Sequence, residues 1–260
     1  MNGGSCSQLE QLAREVASEW GVEIGAPFAL SNNSYVAPAG RGAVLKIRSP
    51  EDDESLHEQD ALAYWAGDGA VRLLRADRRR GALLLERACP GTDLSTLDDA
   101  AAVTIAVDVA GRLWRQAARP FGWIGDHVPR WLADAAPGSS AGRKLLSRAV
   151  ELYDGLEISR NTLVHGDLHH HNILDAGGRY AAIDPKPMLG EPEFDVPPFL
   201  WNPLSSTMTL ERTERRLEAF AAVGLDQARM RAWAVIRGAY LTVGDWVGEG
   251  ALEILDAIER

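Results

Sequence analysis

Between residues 163 and 184 the chain sets an aspartate, an asparagine and a second aspartate at spacings suited to phosphoryl chemistry. The stretch reads Leu163-Val164-His165-Gly166-Asp167-Leu168-His169-His170-His171-Asn172-Ile173-Leu174, then Asp175-Ala176-Gly177-Gly178 and Tyr180-Ala181-Ala182-Ile183-Asp184. Apolar, strand-like runs flank a polar loop and a tight Gly-Gly turn. A β-hairpin within residues 162–184 is therefore expected to bring Asp167, Asn172 and Asp184 to one mouth. Transfer of a γ-phosphoryl group leaves little covalent work to a protein. One carboxylate must orient the attacking hydroxyl, and oxygen ligands must hold Mg²⁺ against the nucleotide phosphates. Asp167 suits the first role, and Asn172 and Asp184 suit the second.

Lys46 and Glu58 extend the pattern. Lys46 falls on an expected strand, and Glu58 lies four and seven residues before Leu62 and Trp65, on the apolar stripe of an expected helix. A carboxylate there needs a partner, and a strand lysine would place a cation on the α and β phosphates. The alternative is a sheet-edge lysine and a glutamate packing its stem beside an aromatic ring. His165, His169, His170 and His171 admit a rival chemistry, since four clustered imidazoles could bind zinc. An extended loop does not present histidines with helical regularity, however, and His165 reads equally as a packed, hydrogen-bonded brace of the loop.

These residues need elements to position them. Leu9, Leu12, Val16 and Trp20 follow helical spacing, after which glycines and β-formers break the period. Strands are expected at about Ala26–Leu30, Ser34–Ala37, Ala43–Arg48, Val71–Leu74 and Ala82–Glu86, with a turn at Pro38–Gly42. Ser49-Pro50-Glu51-Asp52-Asp53 reads as a capped helix start, and that helix should run to Gly67. Cys89-Pro90-Gly91 then breaks the pattern. Residues 1–88 are expected to form an N-terminal nucleotide-binding lobe, and residues 89–260 a C-terminal catalytic and substrate-binding lobe. Helical patterns in the latter cover Ala100–Ala117, Arg143–Tyr153, Leu210–Val223 and Gln227–Val247. The expected class is α+β: a small five-stranded sheet with one or two helices, followed by a mainly helical lobe containing the hairpin.

Composition narrows the classes further. The chain has 260 residues, 46% hydrophobic and 25% charged, enough for a substantial core. A formal charge of -10 disfavours nucleic acid as a partner, because phosphate binding draws on clustered Lys and Arg. The run Arg78-Arg79-Arg80 reads as a solvated turn. Neither a signal peptide nor a membrane span is indicated. The two cysteines, Cys6 and Cys89, fit neither a disulfide framework nor a thiolate metal site, and a reducing cytoplasm suits them.

The motifs His165-Gly166-Asp167-Leu168-His169-His170-His171-Asn172 and Ile183-Asp184-Pro185-Lys186-Pro187 resemble the aminoglycoside phosphotransferase group of the protein-kinase-like fold, in particular its streptomycin 6-kinase and hydroxyurea phosphotransferase branch. Gly190-Glu191-Pro192-Glu193-Phe194-Asp195 resembles that branch as well. The resemblance implies a two-lobe kinase using ATP, or GTP, with Mg²⁺. Asp167 would be the catalytic base, Asn172 and Asp184 the magnesium ligands, and Lys46, with Glu58, the phosphate-binding lysine. Asn33 and Ser34 would belong to the turn over the phosphates. Residues 87–91, with Glu86 before them and Cys89 among them, would be the hinge contacting the nucleotide base. Asp195 would be a buried anchor for the catalytic loop, and it is also counted, with Trp201, Asp245 and Trp246, among the substrate-binding residues.

Departures from protein kinases bear on the acceptor. Asp184-Pro185-Lys186 replaces Asp-Phe-Gly, His169 stands where a lysine is usual, and only ten residues separate Asp184 from Phe194-Asp195. A long peptide-docking loop does not fit there, so the acceptor is expected to be small, with no protein partner required. The phosphate-covering turn Ser31-Asn32-Asn33-Ser34-Tyr35 lacks glycine, although Asn tolerates left-handed backbone. A cationic aminoglycoside would need carboxylates and aromatic walls. The second lobe offers Asp126, Asp134, Glu191, Glu193, Asp245 and Glu249, with Trp201 and Trp246. Asp245 beside Trp246 is the best candidate pair. The alternatives are an amino sugar, an amino alcohol or hydroxyurea as acceptor, an idle pseudokinase, or a zinc-binding module.

Overall fold

Gly3–Trp20 forms helix α1, whose Leu9, Ala13, Val16 and Ala17 meet Tyr35, Ala37, Leu45, Ile47 and Ala82 in one apolar cluster. In this computed structural model the described residues are 3–28, 34–203, 208–241 and 249–259. They divide into two compact units: Met1–Asp93 with Leu174–Lys186, and Leu94–Ile173 with Pro187–Arg260.

The first unit is built on an antiparallel sheet of four strands, β1 (Ser34–Ala39), β2 (Ala43–Arg48), β3 (Leu73–Asp77) and β4 (Ala82–Glu86), in the order β1-β2-β4-β3. The register sets Val36 opposite Lys46, and Lys46 opposite Leu83. The fifth strand expected at 26–30 is not formed by the described residues 26–28. Pro27 has no N–H to donate, and the segment meets β1 through Gly25 N to Pro38 O and Phe28 N to Val36 O. β3 begins later than expected because Val71 donates instead to the Ala182 carbonyl.

Helix α2 spans Glu58–Trp65 and does not begin at the Ser49-Pro50 start or run to Gly67. The acids and serines taken for its first turn bond locally instead: Ser49 Oγ accepts from Glu51 N, and Asp52 Oδ1 accepts from Ser55 N. Such side-chain bonds compete with the helical ladder and postpone it. Once started, α2 buries Glu58, Ala61, Leu62 and Trp65 on one face, with Leu62 and Trp65 each contributing about 1.5–3 kcal/mol.

The boundary expected at residue 89 falls after Asp93, and residues 174–186 join the first unit. Their strands β7 (Ile173–Asp175) and β8 (Tyr180–Ala182) explain this. Ala182 exchanges bonds with Val71 N and Gly69 O, and Asp175 exchanges them with Gly91 N and Thr92 O.

In the second unit, helix α3 (Asp99–Leu113) is capped by Asp98 and ends before β5 (Arg115–Gln116), so it does not reach residue 117. β5 pairs with β6 (Thr162–Val164), and β6 pairs with β9 (Met188–Gly190). The expected hairpin is thus two structures: β7 pairs with β8, while β6 pairs elsewhere. Helix α4 (Ile124–Asp134), masked in the sequence by Pro129, precedes α5 (Ser140–Asp154). α6 (Pro197–Trp201), α7 (Leu210–Ala221), α8 (Gln227–Leu241) and α9 (Glu249–Glu259) complete the described helices. Residues 242–248, expected to prolong α8, lie outside the described residues.

α8 is the centre of this unit. Trp233, Ala234, Val235, Ile236 and Ala239 are all fully buried, as befits a helix packed on every side. α4, α5, α6, α7 and α9 all contact it. Gly238 permits the approach of α9, since a Cβ there would stand 2.3 Å from Leu255 Cδ1.

Candidate active site

In the first unit, strand β2 carries Lys46 into the interior and helix α2 turns Glu58 toward it. Nζ of Lys46 lies 2.8 and 2.7 Å from the two Glu58 oxygens, with the lysine 5% and the glutamate 1% exposed. The ammonium also pairs with Asp184. Burial alone would push the Lys46 ammonium down, but the charges of Glu58 and Asp184 outweigh it and hold its pKa well above the ordinary lysine value. Burial drives Glu58 the other way: despite the lysine, and with Asp184 adding repulsion, its pKa is pushed up to about 7. The sheet-edge alternative for the pair does not hold.

Asp184 follows β8 with φ 56, in the left-handed region. Aspartate is among the few side chains that visit it, and strain of this kind gathers at functional positions. Its side chain is 48% exposed, so the Lys46 contact leaves it accessible to solvent.

In the second unit, the loop from His165 to Asn172 is held from several sides. Asp195 accepts from His165 N and Gly166 N, each at 2.7 Å, and from Trp114 Nε1 at 3.0 Å. His165 is fully buried, and its Nδ1 accepts from Asp167 N. Asn172 Nδ2 donates to the Asp167 carbonyl at 2.9 Å and lies 3.2 Å from His169 Nε2. The Asp167 carboxylate, 27% exposed, stands 3.7 Å from His169 Nε2. His170 is stacked on Phe199 at 4.0 Å. The histidines therefore serve packing and loop geometry, and no group of His, Cys, Asp or Glu among the described residues gathers as a metal cluster.

Expected substrate contact through Asp195 is corrected: at 1% exposure its carboxylate is committed to three N–H donors. Asp195→Ala would leave those donors unmet at about 1–3 kcal/mol each. The variant is expected to melt at least about 6 °C lower in a thermal denaturation.

Trp201 is 5% exposed within α6 and belongs to the packing, not to an open wall. Glu191 is likewise spent, accepting from Arg229 and from Trp233 Nε1, while Asp126 and Asp134 are exposed on α4. Asp245 and Trp246, with Asn33, lie outside the described residues. Ser34 opens β1 and is buried. The Glu86 carboxylate goes to Arg179 at 2.6 Å and Arg72 N at 3.1 Å. Cys89 is exposed.

Sequence reasoning passed over Arg237, which donates to the Gly166 and Phe194 carbonyls. The signal was present: an arginine inside the apolar run Ala232-Trp233-Ala234-Val235-Ile236-Arg237-Gly238-Ala239 demands a partner.

No described helix is long and apolar enough to cross a membrane. Comparison with known proteins places the chain further. Residues 25–250 match the family model described as aminoglycoside/hydroxyurea antibiotic resistance kinase. A hydroxyurea phosphotransferase of Kitasatospora aureofaciens is 36% identical, over 86% of this chain and 69% of its own length. A streptomycin 6-kinase of Streptomyces glaucescens is 33% identical, over 86% and 79%. Among solved structures, a thermostable mutant of an aminoglycoside phosphotransferase superposes with a TM-score of 0.67 at 18% identity, covering 95% of this chain and 98% of its own. A choline/ethanolamine kinase family protein from Mesorhizobium loti gives 0.65 at 13%, covering 95% and 92%. These likenesses establish the protein-kinase-like α+β fold. The chain belongs to the aminoglycoside/hydroxyurea antibiotic resistance kinase family and is a small-molecule kinase.

Proposed function

We propose that this chain transfers the γ-phosphoryl group of ATP to a hydroxyl of an aminoglycoside-like, streptomycin-type acceptor, with Asp167 as the base. The observation that carries the reading is the buried Lys46–Glu58 pair in contact with Asp184. A desolvated lysine locked by a glutamate is a fixed cation, and fixed charge is what phosphoryl transfer asks of a protein. Lys46 would bind the α and β phosphates. Asp167, on a loop pinned by Asp195, would accept the proton of the attacking hydroxyl.

Asn172 and Asp184 have the donor chemistry for magnesium, a hard cation that takes oxygen ligands. Asn172 Nδ2 is directed to the Asp167 carbonyl, which leaves its amide oxygen as the ligand it can offer, and the Asp184 carboxylate is half exposed. Magnesium held by such oxygen ligands would neutralise charge on the phosphates. The reading needs no protein, membrane or nucleic-acid partner, and the cytoplasm, where ATP is available, is its compartment.

The streptomycin-type acceptor is supported by relatives named streptomycin kinases, including a streptomycin 3''-kinase of Klebsiella pneumoniae at 31% identity. The short spacing from Asp184 to Phe194 favours a small molecule. Hydroxyurea is the second reading, favoured by the 36% identity to a hydroxyurea phosphotransferase.

Incubation with Mg-ATP and a panel of streptomycin, other aminoglycosides, amino sugars, amino alcohols and hydroxyurea decides between them. Streptomycin is expected to give the highest kcat/KM, with ADP release matched by a phosphorylated product in the mass spectrum. A higher kcat/KM with hydroxyurea would move the assignment to the second reading.

A further inference from the structure

Arg237 is a buried cation that the roles assigned above leave unused. It projects from α8, is 6% exposed, and its guanidinium carbon lies 4.3 Å from the centre of the Phe194 ring. One terminal nitrogen donates to the Phe194 carbonyl at 3.0 Å and the other to the Gly166 carbonyl at 2.9 Å, while Nε makes no hydrogen bond. A charge so placed is expensive for a packing role alone, since an unbranched apolar side chain would fill similar space without losing hydration.

Both acceptors adjoin functional residues. The Gly166 carbonyl belongs to the peptide that leads into Asp167, and the Phe194 carbonyl to the peptide that leads into Asp195. Gly166 has φ +87, a conformation open chiefly to glycine and soft about both flanking bonds. Asp195 fixes the peptide before it through Gly166 N. The peptide after it is held at its N–H, where Asp167 N donates to His165 Nδ1, and at its carbonyl, where Gly166 O accepts from Arg237; its rotation would turn Asp167.

We infer that Arg237 is a positioning residue of the phosphoryl-transfer reaction: its planar fork ties the Gly166–Asp167 peptide to the peptide before Asp195 and so fixes the aim of the Asp167 carboxylate. The inference rests on the assignment of Asp167 as the base. The fork is held by a rigid element, since Trp233, Val235 and Ile236 around it on α8 are fully buried. A guanidinium can span two carbonyls at fixed separation, whereas a lysine ammonium acts as a point donor.

The test compares wild type, Arg237→Met, Arg237→Lys, Asp167→Asn and the Asp167→Asn/Arg237→Met double variant. All are full-length chains, assayed with Mg-ATP and the best acceptor of the panel. In Arg237→Met, kcat is expected to fall about a hundredfold, the scale of a misplaced reacting group, with KM for ATP within about twofold. Arg237→Lys should recover less than about tenfold of that loss. In the Asp167→Asn background, Arg237→Met should lower kcat no further, because the two act as one unit.

A folded Arg237→Met within about threefold of wild-type kcat would overturn the inference, as would an undiminished loss in the Asp167→Asn background. Should Arg237→Met fail to fold, Arg237→Lys carries the test, and an unchanged kcat there is equally decisive. Wild-type turnover in Asp167→Asn would instead sink the assignment of the base. An inactive Asp167→Asn beside a fully active Arg237→Met would sink only the role of Arg237.

Discussion

Asp167→Asn is expected to lower kcat by about 10²–10⁴-fold, the contribution of a positioned general base. KM for ATP should stay within about twofold, since the loss falls on the transition state. The substitution isolates chemistry from folding. It keeps the side-chain volume and leaves untouched the backbone bonds of residue 167: the carbonyl accepts from Asn172 Nδ2, and the N–H donates to His165 Nδ1. A thermal melt should therefore stay close to that of the parent while steady-state turnover collapses. Unchanged turnover in a folded variant would remove Asp167 from the role of base.

The second large effect is expected at the buried pair. Lys46→Met removes the cation proposed to bind the phosphates, and loss of one such preorganised group costs about 10²–10³-fold in kcat. Glu58→Gln tests the same pair through pH. With its pKa pushed up to about 7, chiefly by burial, Glu58 loses its charge below that pH and Lys46 loses one of its two carboxylate partners. Wild-type kcat/KM for ATP should therefore show an acid limb near pH 7, absent from a uniformly less active Glu58→Gln.

Stability should move oppositely. A folded pKa raised above 4.5 means that the folded chain holds a proton the unfolded chain has released. This favours the folded state below pH 4.5 and fades as pH rises through about 7. Relative to wild type, Glu58→Gln should consequently gain a few degrees in Tm between pH 5 and pH 8. Melting curves of both proteins across that range check the sign, and a constant difference would refute it.

Particular elements show how far the sequence could be read. The 3.6-residue spacing of Leu9, Leu12 and Val16 gave α1, and short runs of apolar and β-forming residues bounded by turn residues gave β2 and β4, because these are local signals. Glu58 was legible as a buried acid from its place beside Leu62 and Trp65, and its need for a cation followed. The start of α2 was misread because Asp52 and Ser55 carry the same residue types in a turn as in a cap. A hairpin within 162–184 is present as β7 with β8, but the separate pairing of β6 was not legible, because strand pairing is a choice among distant partners: β6 selects β5 and β9.

The chain by itself determined the kinds of chemistry available and their order: Lys46, Glu58, Asp167, Asn172, Asp184. Spacing and residue type are properties of the primary structure, and phosphoryl transfer has few ways to arrange them. Only the tertiary structure decided which polar groups are spent inside the protein. It committed the Asp195 carboxylate to particular N–H donors, sent the Glu86 carboxylate to Arg179, gave Asp184 its left-handed backbone and Lys46 its second carboxylate, and aimed Arg237 at two carbonyls. The reason is physical. A buried polar atom must find a partner wherever packing brings one, often many tens of residues away, and no local pattern encodes that meeting.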